Sequence, residues 1–79
     1  MKEAKDFFED LGYMETRNDE DYVVYSKEIK KGVFKNVTFS RQHESFVVEF
    51  EGVDMEVAPM IDMKLMQVIY KKVQELGWV

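Results

Sequence analysis

The chain has few residues whose types and spacing suit chemistry. His43 is its one histidine, in the stretch Gln42-His43-Glu44 with Ser40 and Ser45 nearby. A nucleophilic triad needs a base held rigidly beside its nucleophile and oriented by a third group. A turn between two strands supplies neither, so His43 reads as a solvated turn residue. Glu49, Glu51, Asp54 and Glu56 carry oxygens suited to a hard cation. They lack the closely spaced loop carboxylates and the glycine turn that would converge them, so they read as a solvated sheet face. With no cysteine, thiolate zinc sites and cysteine nucleophiles are excluded. No catalytic, cofactor-binding or metal-ligating residue is assigned, and the protein is not expected to be an enzyme.

Two groups remain, both suited to binding. Lys27, Lys30, Lys31, Lys35 and Arg41 cluster along one stretch with Tyr25 and Phe34 among them. Cations with interleaved rings could take phosphates and bases. The flanks argue against it. Residues 22–43 carry five basic and one acidic side chain, but residues 1–21 carry three and eight, and residues 44–62 carry none and six. The net charge of −5 opposes nucleic acid and anionic lipid alike. Nucleic-acid binding through residues 27–41 is therefore the alternative reading. The second group, Met55, Met60, Met63 and Met66, is rich in a side chain that fills irregular cores and lines adaptable binding surfaces.

The elements that position these groups follow from periodicity. Ala4, Phe7, Phe8 and Leu11 recur at helical spacing among charged residues, and Gly12 stops the helix with Tyr13 folding back on Phe8. Tyr22 to Ile29 is a strand, followed by the turn Lys30-Lys31-Gly32 and a strand from Val33 to Arg41. Ser45 to Glu51 is a third strand, in which Phe46, Val48 and Phe50 alternate with Val47, Glu49 and Glu51. Met14 to Arg17 is a candidate fourth strand, and Val53 to Val57 alternates as further extended chain before Pro59. Asp62 caps a closing helix from Met63 to Leu76, which Gly77 and Trp78 end as Gly12 and Tyr13 end the first. The expected fold is one α+β domain over residues 1–79. It is a two-layer sandwich in the order helix, antiparallel meander, helix. Both helices would lie over Val37, Phe39, Phe46, Val48 and Phe50.

The segment Phe-Phe-Glu-Asp-Leu-Gly-Tyr at 7–13 and the ending Val-Gln-Glu-Leu-Gly-Trp, around a β-rich middle, resemble small uncharacterised proteins encoded by phages and prophages of Gram-positive bacteria. The resemblance rests mainly on residues 7–13 and 61–78. It implies a phage accessory protein in the host cytoplasm, with no cofactor or catalytic residue to carry over. The charged N-terminus is no signal peptide, and no apolar run reaches the roughly 20 residues that span a bilayer, which also suggests a cytoplasmic address.

The closing helix is the most informative element. At ~100° per residue, its apolar side chains cover roughly 220° of the wheel, with Lys72 the one interruption. A helix on a sheet needs an apolar arc a little over ~100°. The surplus must meet the first helix or a partner. A small non-catalytic interaction protein is therefore the leading reading, with a homodimer as the simplest assembly. Its interface would be either the Met63, Met66, Tyr70 side of the closing helix or the sheet face carrying Tyr22, Val24 and Phe34.

Overall fold

The computed structural model describes residues 2–52 and 59–79. The element order is α1 (Ala4–Asp10), β1 (Met14–Asn18), β2 (Tyr22–Lys30), β3 (Val33–Ser40), β4 (Ser45–Glu51) and α2 (Met63–Glu75). The strands form one antiparallel sheet in the order β1-β2-β3-β4. The helix–meander–helix α+β architecture is as expected, with the candidate strand at Met14 present as β1. The extended stretch expected at Val53–Val57, together with Met55, Asp54 and Glu56, lies outside the described residues.

Both helix stops have the geometry that the repeated Leu-Gly-aromatic pattern requires. After α1, Gly12 at φ +93° lets its own N–H donate to Glu9 and that of Tyr13 to the Phe8 carbonyl (2.9 Å). After α2, Gly77 at φ +79° does the same, and the Trp78 N–H donates to the Val73 carbonyl (3.1 Å). These bonds satisfy carbonyls that a helix end would leave unpaired. They also turn an aromatic ring inward each time. Tyr13 meets Phe8 edge-on at 5.8 Å, and Trp78 lies 6.3 Å from Phe39. At the other end of α2, the Asp62 carboxylate accepts the Leu65 N–H (2.8 Å), the expected cap.

The register decides the core. Val23 pairs with Phe39 and Tyr25 with Val37, and directly opposed residues share a face. All four are fully buried beneath the helices, together with Phe8 and Ile69. Phe8 stacks on Tyr25 with ring centroids 4.0 Å apart. Pairs of this kind add about 0.5–1.5 kcal/mol beyond area burial. The coverage is narrower than expected. Phe46, Val48 and Phe50 on β4 do face the helices, but they are only half-buried. The reason is width: α1 packs on β1 and on α2, so the helix pair is centred over β2 and β3 and stops short of β4.

The ends of α1 and α2 meet. The Glu75 carboxylate of α2 accepts the Ala4 N–H at the start of α1 (2.6 Å), so the two helices run antiparallel. Residues 18–22 close the β1–β2 connection in the same self-contained way. The Asp19 carboxylate accepts the N–H groups of Asp21 (2.9 Å) and Tyr22 (2.8 Å) and pairs with Arg17. The guanidinium of Arg17 and these two N–H donors hold the Asp19 carboxyl at about 2.

Candidate functional site

Helical spacing and the position of α1 determine which side of α2 is free. Leu65, Val68 and Ile69 are buried against the sheet and α1. Phe7 of α1 shares a hollow with Gln67, Val68 and Lys71, so α1 occupies that flank. At about 100° per residue, Met66 lies on the other flank while Tyr70 and Met63 project away from the sheet, and they are 40%, 47% and 73% exposed. This flank is the one turned toward β4. Below it runs the half-buried row Phe46, Val48, Phe50. The exposed apolar side chains of α2 and the half-buried row of β4 thus lie on the same side of the molecule.

The second expected surface lies on the opposite side of the molecule. Tyr22, Val24 and Phe34 share the sheet face away from the helices, with Val47 beside them at 53% exposure. Their surroundings are polar. The Arg17 guanidinium lies 4.8 Å from the Tyr22 ring centre, and the Thr16 and Ser26 hydroxyls are hydrogen-bonded at 3.0 Å. A shallow hollow of about 350 Å³ opens between Phe34, Val24, Asn36 and Glu51. At its floor the Asn36 side-chain oxygen is buried and has no hydrogen-bond partner among the described residues. The register puts Glu28, Glu49 and Glu51 on the same face. The two candidate interfaces are therefore of different kinds: one apolar and bordering an edge, the other mixed and acidic.

The basic residues are dispersed. Lys27 and Lys35 oppose each other on the helix side of β2 and β3. Both are engaged within the fold. The Lys27 ammonium lies 5.7 Å from the Tyr13 ring centre, and Lys35 donates to the Met60 carbonyl (2.7 Å). Lys30 and Lys31 are exposed at the hairpin turn. Arg41 is at the far end of β3, about 20 Å from Lys35 at ~3.4 Å per residue. There its guanidinium donates to the Asp19 carbonyl (2.8 Å) and to the Asn18 side chain (2.9 Å). Of the two rings, Tyr25 is fully buried and Phe34 is on the other sheet face. No single surface holds these five cations and two rings together.

The remaining polar candidates separate in the same way. His43 is exposed in the β3–β4 turn, where its backbone N–H points to the Ser40 hydroxyl (3.4 Å). Among the described residues, no three His, Cys, Asp or Glu side chains converge as metal ligands would. One cluster was not foreseen from the sequence. The Tyr25 hydroxyl is buried without a hydrogen-bond partner among the described residues. Burial, then the charges of Glu15, Glu75 and Glu3, pushes its ionisation well above the ordinary phenol range. The Lys72 ammonium lies 5.8 Å from the same ring and 4.0 Å from the Glu75 carboxylate. The one interruption in the apolar arc of α2 is thus the cation that faces the buried ring. The Lys72-to-Glu75 spacing was legible, but the approach to Tyr25 depends on how α2 lies on β2.

No protein-family model, no curated protein sequence and no solved structure matches this chain. Among the described residues, no helix is long and apolar enough to cross a membrane.

Proposed function

We propose that this protein is a small, non-catalytic interaction module that docks a protein partner on the free flank of α2. The observation that carries the reading is the exposure of Met63, Met66 and Tyr70 on α2, on the same side of the sheet as the half-buried row of β4. Contiguous apolar surface on a small chain marks an interaction site more often than a scattered exposed residue does. Methionine and tyrosine suit such a surface. The thioether adapts to a partner's shape, and the phenol offers a large contact with a polar tip. The resemblance at residues 7–13 and 61–78 supports an accessory role of phage origin in a bacterial cytoplasm.

The test compares the native chain with a Met66→Lys, Tyr70→Glu variant as bait in lysate from a Gram-positive host. Both positions are exposed, so the variant should keep its fold, which circular dichroism checks. The expected result is at least one protein held by the native chain and lost with the variant. Identical retention by both baits, or none by either, would refute the reading.

A further inference from the structure

We infer that two copies of this chain join through β4, edge to edge and antiparallel about Val48, into a continuous eight-stranded sheet. The inference goes beyond the proposed docking flank on α2: its contact is the β4 edge and its occupant is a second copy. An edge strand exposes a row of unpaired N–H and C=O groups, and natural proteins blunt such edges with bulges, proline, lysine or short length. β4 has no bulge, proline or lysine, and its two charges, Glu49 and Glu51, lie on the face away from the helices, where the pairing about Val48 sets each opposite an uncharged residue. The strand is 7 residues long, Ser45-Phe-Val-Val-Glu-Phe-Glu51. All seven pair in register with β3 without a bulge. Among the described residues no strand lies on its outer side.

The sequence of β4 is complementary to itself in one register. With Val48 on the two-fold axis, Val48 meets Val48 and Phe46 meets Phe50 on the helix side. On the other side Val47 meets Glu49 and Ser45 meets Glu51. Every residue of the strand has a partner, and no two carboxylates are opposed. A one-residue slip would turn each apolar row to the wrong face. Moving the axis to Glu49 sets Glu49 against Glu49, a like-charge contact that costs stability. Moving it to Val47 leaves Phe50 and Glu51 beyond the end of the partner strand. The axis through Val48 stands perpendicular to the sheet, so the helices of both copies stay on one side. The two half-buried rows of β4 then merge on that side.

Sedimentation velocity from ~1 µM to ~1 mM brackets the affinity expected of an interface at the small end of the stable range. The native chain should show a reversible monomer–dimer equilibrium. Val47→Glu places two carboxylate pairs across the axis, Glu at 47 against Glu49 twice. Because Val47 is 53% exposed on the open face, the monomer should melt as before. Its dimerisation should weaken on the order of tenfold. Adding Glu49→Lys reverses the charge of both pairs and should restore the dimer. This rescue is specific to the register. A native chain that stays monomeric, a Val47→Glu variant that dimerises like the native chain, or a double variant that is not rescued would each overturn the pairing. The outcomes also separate the two proposals. A monomeric native chain that still loses a lysate protein on Met66→Lys, Tyr70→Glu leaves the docking flank standing and removes the β4 dimer. A dimer that responds to charge as described, with no lysate protein lost, does the reverse.

Discussion

The two edges of the sheet are built on opposite rules. β1 has 5 residues, and its pairing with β2 slips at a bulge between Glu15 and Arg17. Its side chains are mostly polar, and one of them, Arg17, is tied to Asp19 and lies over Tyr22. A bulged, short, charged strand is a poor template for another chain. β4 is longer, regular and apolar on the side that the helices do not finish covering. The helices enforce the same asymmetry. α1 packs on β1 directly, whereas on the β4 side Trp78, just after α2, lies near Phe39, itself 6.1 Å from Phe46. Among the described residues, one edge is blunted and the other has no such device but its two glutamates. Under the proposed pairing, this would direct association to a single place without a separate binding loop.

The largest expected effect is at the end of the open edge. Gly52 follows β4 at φ +90°, and a Cβ there would stand 2.0 Å from the Gly32 carbonyl oxygen in the β2–β3 turn. Backbone must move to admit it. Gly52→Ala should cost roughly 2–4 kcal/mol, combining a left-handed alanine with overpacking. Thermal denaturation would register this as a drop of about 10–25 °C. A melt within a degree or two of the native protein would mean that β4 ends without being pinned to the turn.

A smaller pair of effects separates the two edges. Trp78→Ala removes a half-buried ring packed against Phe39 and should cost about 2 kcal/mol, below the range for fully buried aromatics. Gly12→Ala forces a left-handed alanine where the chain enters β1 and brings its Cβ to 3.3 Å from the Lys27 side chain. The cost is about 1 kcal/mol. In hydrogen exchange, Trp78→Ala should speed exchange mainly in β3 and β4, and Gly12→Ala mainly in β1 and β2. The same pattern from both variants would show that the edges are not independently supported.

The smallest effect concerns acid. Asp19 titrates near 2 in the fold, below its ordinary 3.8. A depressed carboxyl contributes stability that is complete above the unfolded value and is lost as pH falls through the folded one. Asp19→Asn should therefore show its full deficit at pH 7, with the deficit shrinking and the profile flattening between about pH 4 and pH 2. Urea titrations across that window test it. An unchanged slope would mean that the Arg17 and backbone contacts do not hold the ionised form.

The contrast between edges also shows what was legible in the sequence. Helix stops read well because glycine at positive φ followed by an aromatic residue is a local device, settled within a few residues. The alternation in β4 identified its two faces for the same reason. The exposure of Met63, Met66 and Tyr70 was inferable from the width of the apolar arc. That the helices would stop short of Phe46, Val48 and Phe50 was not, because it depends on where two helices settle across four strands. The run Tyr22-Val23-Val24-Tyr25 has apolar residues on both faces, and only its pairing with Val37 and Phe39 makes Tyr25 a core ring, not one that a base could reach. The five basic residues looked clustered because they are near in sequence. A strand spends about 3.4 Å on each residue, and so Arg41, just past the end of β3, lies far from Lys35.

The bond from Ala4 to the Glu75 carboxylate joins positions 71 residues apart. The path of the chain is therefore nearly a closed ring. Whatever is attached before Lys2, a fused domain or an affinity tag, sets out beside the C-terminal end of α2. A version with its ends joined and cut open at an exposed turn, such as Lys31-Gly32, would trace the same route through space with a different beginning.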